Sequence, residues 1–333
     1  MTTPARPAAP ALRRVVRWNI AAVAALHVAA LALFLGGHLL GTAGLAMIAF
    51  AYSRGLLHAL DADHLAMIDG STRKLLGEQR NPAGVGLAFS LGHSTVVLAA
   101  GVAVVLGAAW VREAIDPDTQ LATVLGSIGA GVSAAYLLAV AAANTPLLVA
   151  AVRGADAVGH THALAPTGWW GRLLMTPLSR VRHAGHVYAF GLLFGLGFDT
   201  ASTISLLMLT ASASLAGVPP VALLCLPLAF AAAMTLGDSI NAHVMLRVYT
   251  AAETSARRRL NIALLIVSIT SAVLVAGATL TGLVGAWTGI AVPEFDTTWF
   301  GWGLAALAAL GALWLGWLRF LARRAGPHPP LKR

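Results

Sequence analysis

Charge is what this chain has least of. Only 11% of its 333 residues are Asp, Glu, Lys or Arg, against 58% hydrophobic ones. A soluble domain carries about a quarter charged residues, so this composition excludes one and points to a polytopic membrane protein surrounded by lipid. Cysteine is nearly absent as well: the single Cys225 lies in an apolar run, which excludes a disulfide framework and a thiolate metal cluster. Acidic residues number 13 against 22 basic ones, a formal net charge of +9. The basic residues collect in alternate loops, so the excess is a topology signal and not a nucleic-acid surface.

What the chain has in abundance is apolar segments long enough to cross a bilayer, which takes about 20 helical residues. They fall at 19–40, 43–68, 83–110, 121–152, 184–215, 218–246, 260–291 and 299–321. The expected fold is therefore all-α, with about eight transmembrane helices in a domain covering 19–321. With the N-terminus inside, Arg73, Lys74, Arg80, Arg153, Arg172, Arg180, Arg182, Arg247, Arg257, Arg258, Arg259 and the basic tail 322–333 are all cytoplasmic. The opposite loops carry Glu113, Asp116, Asp118, Glu294 and Asp296, with Arg112 alone among them. The positive-inside rule then gives one consistent orientation, with both termini cytoplasmic. Residues 1–18 are Pro/Ala/Arg-rich and expected to be a disordered tail. Arg13-Arg14-Val15-Val16-Arg17 before an apolar run resembles a secretory signal, but the run to Leu40 exceeds the usual h-region, so it is an uncleaved first span.

Into this apolar background the stretch 54–74 brings four titratable groups within seven residues: His58, Asp61, Asp63 and His64. Ionisable groups inside a span are costly and mark function. In a continuous helix, steps of roughly 100° put His58, Asp61 and His64 within an arc of about 120°, with Asp63 on the far side. Imidazole with carboxylate suits borderline divalent ions such as nickel, cobalt or zinc better than copper(I). Four such groups exceed what hydrogen bonding between helices asks for, so the spacing predicts a metal site without naming its metal. Arg54, seven residues before Asp61, can face the same side and neutralise a carboxylate.

The other spans add polar groups one at a time. Span one carries Asn19, His27 and His38, the two histidines eleven residues apart on almost the same face; each fits either a ligand or a hydrogen-bonded histidine. Span three contains Gly92-His93-Ser94-Thr95, where the glycine permits close helix approach and the hydroxyls can orient the imidazole as a further ligand. Spans five and six hold Asp199-Thr200 and Asp238-Ser239-Ile240-Asn241, each aspartate just after a Leu-Gly pair or its neighbour and suited to a cation path, a proton carrier or a partner for Arg54. The loop 153–184 carries His160 and His162, with Arg182-His183-Ala184-Gly185-His186 at its end. Such clustered histidines bind metal transiently or are simply solvated. Trp169 and Trp170 read as interface anchors.

These motifs together resemble the nickel/cobalt transporter family, single-chain permeases whose hallmark is a histidine, four residues, then Asp-His in the second span: here His58, Asp63 and His64. The match continues through Asp69 and Thr72-Arg73-Lys74, then Phe89 to Val97, Leu196 to Ala201 and Phe230 to Met245. The resemblance implies uptake of Ni²⁺ or Co²⁺ as transported substrate, with no cofactor and no catalysis. It makes the second-span motif the recognition centre, and His27, His93 and the motifs of Asp199 and Asp238 contributors to selectivity or transport. The chain departs from the family pattern in Leu57, where arginine is usual, in Thr203, and in Asn241-Ala242 for Asp-Gly. These departures bear on metal preference and energy coupling. An exporter would use similar ligands. A membrane acyltransferase would use His58 and Asp63 as a dyad but needs an acyl-donor pocket for which the chain has no soluble domain. A non-transporting sensor would need a signalling domain.

Overall fold

A computed structural model of the chain describes residues 9–107, 118–153, 179–196, 201–250 and 255–291, with isolated positions at 113, 116, 306, 310, 313 and 317. Every secondary-structure element among them is helical: α1 (Ala9–Gly36), α2 (Thr42–His58), α3 (Ala62–Gly77), α4 (Val85–Val105), α5 (Gln120–Val152), α6 (Val187–Gly195), α7 (Ala201–Leu215), α8 (Cys225–Thr250) and α9 (Ser255–Thr288), with one-turn helices at Ala184–His186 and Pro220–Leu223. Five helices are long and apolar enough to cross a membrane, six if one bent pair counts as a single span. The expected span 184–215 is present as two shorter apolar helices, and residues 197–200 between them, Asp199 and Thr200 included, lie outside the described residues. Of the tail expected over 1–18, residues 1–8 lie outside them, whereas 9–18 are helical and open α1, which corrects the expectation of disorder there; of the expected last span only 306, 310, 313 and 317 are described, and the C-terminal tail, Trp169, Trp170, His160 and His162 lie outside.

The second span corrects the sequence reading. A single helix over 43–68 was expected; α2 instead ends at His58, α3 begins at Ala62, and the two are bent by 51°. The cause is local. Asp61 sits at φ −60° and ψ 140°, the extended N-cap position of α3, with its carboxylate turned to His58 and not onto the helix N–H groups, and Asp63 falls in the first turn, where a carboxylate is stabilised by the helix N-terminus. These helix-start signals outweigh an apolar periodicity that runs across the break.

The two arms of the broken span share α8 as a neighbour and differ in their other partners. Gly55 of α2 lies so close to α8 that a Cβ there would collide with the Phe230 backbone oxygen. Ala62 and Ala66 of α3 pack with Ala134, Leu137 and Ala141 of α5 and with Ala272, Val275 and Ala276 of α9. A polar chain adds to this: Asn144 Nδ2 of α5 donates to Ser268 Oγ of α9 (3.1 Å), which donates to Asp69 Oδ2 of α3 (2.9 Å), with Arg73 Nη2 3.8 Å from the same carboxylate oxygen. Lipid tails are as apolar as leucine, so such backbone proximity and interhelical hydrogen bonds, about 0.6 kcal/mol each, hold the bundle. Outward-facing Val28, Leu31 and Leu35 on α1 and Val273, Leu280 and Val284 on α9 are exposed, as lipid-facing surfaces require.

Close approach is most evident between α4 and α6, where Gly92 faces the Tyr188 carbonyl and Gly191 faces the Phe89 carbonyl. Gly92→Leu is therefore expected to destabilise the protein by at least about 1–3 kcal/mol through overpacking. Gly126, with nothing within 4 Å of a Cβ, should accept alanine with an unchanged or raised Tm. Thermal unfolding of the two detergent-purified variants checks the pair, and equal Tm values would contradict the packing described.

Candidate metal centre

Three histidines from three helices meet in the interior. His58 is the last residue of α2, His64 lies in the first turn of α3, and His93 sits midway along α4. They are 1%, 1% and 3% exposed. Their ring centroids are 4.5 Å (His58–His64), 4.7 Å (His58–His93) and 5.0 Å (His64–His93) apart. One nitrogen from each lies within 4.8 Å of the others, and Phe89 and Phe230 pack against the rings. A first-row divalent ion held at about 2.0–2.1 Å needs nitrogens roughly 3–3.5 Å apart. The Nε2 atoms of His58 and His93 already lie 3.0 Å apart, so His64 is the ligand that must close in.

The hydrogen bonds assign the nitrogens. His58 Nδ1 donates to Asp61 Oδ2 at 2.6 Å, leaving Nε2 with the lone pair in the neutral ring. His64 Nδ1 faces Asp238 Oδ2 at 3.4 Å, and its Nε2 has no hydrogen-bond partner among the described residues. These are carboxylate–histidine pairs of the kind that orient metal ligands and raise their basicity. With His58 Nε2 as acceptor, His93 Nε2–H must be the donor in the His58–His93 contact, and His93 Nδ1 is buried without a partner among the described residues. An ion taken on His93 Nε2 therefore requires its hydrogen to shift to Nδ1.

Other expected residues are placed as follows. The arc argument for His58, Asp61 and His64 on one helical face does not survive the break, although the two histidines still meet. Asp63 Oδ1 accepts from the His64 backbone N–H at 2.9 Å, so the His58/Asp63 dyad of the acyltransferase reading is not formed; Asp61 takes that place. Arg54 does not pair with Asp61: its Nε donates to Ser205 Oγ at 3.0 Å and its guanidinium lies 5.5 Å from the Phe50 ring centroid. His27 stands apart from the cluster, Nδ1 donating to Val23 O (2.8 Å) and Nε2 accepting from the Tyr52 hydroxyl (3.0 Å). His38 occupies the turn after α1 at φ 53°. The hydroxyls beside His93 do not orient it: Ser94 Oγ has no partner among the described residues, and Thr95 Oγ1 donates to Leu91 O and contacts the Tyr188 hydroxyl. Asn241, on α8 three residues after Asp238, is partly buried, with Nδ2 lacking a partner.

The pairing of Asp238 with His64, 174 residues apart, was missed from sequence. Its only signal was a carboxylate in an apolar span, which says that a partner exists but not which one.

The comparisons with known proteins agree with one another. The profile of the NicO family, described as high-affinity nickel-transport protein, matches residues 44–322. A nickel transporter of Mycobacterium tuberculosis, NicT, is 38% identical over 262 residues, 75% of this chain and 70% of its own length. A high-affinity nickel transport protein of Cupriavidus necator is 37% identical, covering 74% of this chain and 71% of its own. The cobalt transport protein NhlF of Rhodococcus rhodochrous is 38% identical, covering 75% and 74%. No solved structure matches.

Proposed function

The chain belongs to the NicO family of high-affinity nickel-transport proteins, and from that premise we propose that it carries Ni²⁺ or Co²⁺ into the cell across the cytoplasmic membrane through the His58, His64 and His93 cluster. The observation that carries this reading is the convergence of three buried imidazoles from three helices. A dication among neutral ligands in a low-dielectric interior is unfavourable unless negative charge lies close by. Asp61 behind His58 and Asp238 behind His64 supply it, with Asp63 adjacent. The proposed topology has eight spans with both termini cytoplasmic, and the proposed direction is inward.

The break between α2 and α3 gives the centre a means of release. Both arms pack on α8, but only the arm of His64 is also clamped to α5 and α9. A change in the bend separates the two ligands and frees the ion on the other side, which is alternating access around a fixed site. Asp199, Thr200 and Asn241 are assigned to the path, and Arg54 and His27 to its surroundings.

Protons compete with metal for imidazole, whose ordinary pKa is about 6.5, so affinity should fall below about pH 6. Binding to the purified protein that stays flat from pH 5 to 8 would count against histidine ligands. Direction is tested by accumulation of radioactive Ni²⁺ and Co²⁺ at nanomolar concentration in cells expressing the chain. Raised accumulation is expected, and the ratio of the two ions gives the preference. Lowered metal content with improved tolerance would make the same centre that of an exporter.

A further inference from the structure

A second pair of imidazoles lies far from the buried centre. His183 and His186 flank the one-turn helix before α6, with ring centroids 3.7 Å apart and planes tilted by 42°. His186 Nδ1 lies 2.9 Å from the Arg180 carbonyl and 3.2 Å from the Arg182 backbone N–H. Both contacts engage the same nitrogen, so Nε2 is the atom left for a ligand. With an ion on Nε2, the ring's one hydrogen sits on Nδ1 and goes to Arg180 O, the shorter contact. A carbonyl accepting from the non-ligating nitrogen is a common way to orient a metal-binding histidine. His183 is exposed and folds back over Gly185, where a Cβ would come within 3.1 Å of its Nδ1 and Cε1. Glycine there is what lets the two rings lie together.

The segment carrying this pair is fastened to the helix that leads away from the buried centre. Lys74 Nζ, near the end of α3, donates to Val181 O at 2.6 Å and pairs with Glu78 at 2.7 Å. Arg80 donates to Arg182 O and pairs with Glu78 at 3.1 Å. The histidine pair is thus held at the end of α3, the helix whose first turn contains His64, and on the proposed topology that end is cytoplasmic.

We propose that His183 and His186 form a second, weaker site for a divalent transition-metal ion at the cytoplasmic mouth. It would receive the ion leaving the buried centre and hand it on. Two imidazoles are a small ligand set, and Lys74, Arg80, Arg180 and Arg182 place positive charge around them. Both features weaken the hold on a dication and favour release. The placement on the exit route rests on the transport reading above, whereas the binding itself does not.

Equilibrium dialysis of Ni²⁺ against the full-length protein in detergent tests this. Two classes of site are expected: a tight one lost in His64→Ala and a weaker one lost in His183→Asn/His186→Asn. Gly185→Ala keeps both imidazoles and should weaken the second class by about tenfold, as loss of ligand orientation does. If the double variant keeps the weaker class, or if that class disappears instead in His160→Ala/His162→Ala, the proposal is overturned. If the tight class survives in His64→Ala while the weaker one behaves as stated, it is the transport reading that fails. Unchanged Tm values in all variants establish that the losses are not those of unfolding.

Discussion

Replacing His64 with alanine is expected to abolish nickel accumulation at nanomolar concentration while the protein stays in the membrane. His64 contacts both other imidazoles and Phe89 and faces Asp238, so it is the residue through which the centre is connected. Without it, two nitrogens remain, one pair of ring atoms 3.0 Å apart, and Asp238 is left in the interior with no imidazole before it. Loss of an outer partner alone costs about 10–100-fold in metal affinity, and loss of a ligand should exceed that range. The truncation also opens space beside Phe89, so membrane abundance and Tm must be measured alongside. His64→Gln, closer in volume, serves as the check that metal binding and not packing is lost. Wild-type accumulation by either variant would remove the central claim.

The second large effect concerns charge without shape. Asp238 is fully buried, and Asn at this position preserves volume and can still accept from His64 Nδ1. Its removal of one negative charge leaves the dication less compensated in a medium where charge is poorly screened. Asp238→Asn is therefore expected to weaken Ni²⁺ affinity by about 10–100-fold, read as a raised KM for uptake with little change in the amount of protein. Asp61→Asn should act in the same direction through His58. Because both carboxylates serve one ion, the double variant should lose more than either single one. An unchanged KM in Asp238→Asn would mean that Asp238 serves the fold and not the ion.

The amino-acid pattern was informative where chemistry is local. His58, Asp61, Asp63 and His64 stand out because ionisable groups are costly in an apolar run, and His93 stands out because glycine precedes it. The break in the second span was legible in principle: Asp61 and Asp63 are residues that start helices, but a long apolar stretch argues for continuity with more residues. What could not be read was which carboxylate serves which imidazole. Asp61 was available to Arg54, to His58 or to the ion, and only the fold shows that it turns to His58. Asp238 finds His64 across 174 residues, a contact fixed by how α3 and α8 pack. The part played by α9 was hidden for the same reason, since Ser268, an ordinary hydroxyl in an apolar span, holds Asp69.

That last hydrogen bond has a bearing on how the protein is made. Asp69 and Ser268 are separated by 199 residues, which a ribosome adds in roughly 10–40 s at 5–20 residues per second. For that interval the nascent chain has placed α3 beside the translocon before its hydroxyl donor on α9 exists. Release of α3 into lipid is therefore best delayed until the later helices arrive, and chains ending before α9 should be cleared by membrane proteases while those ending after it persist.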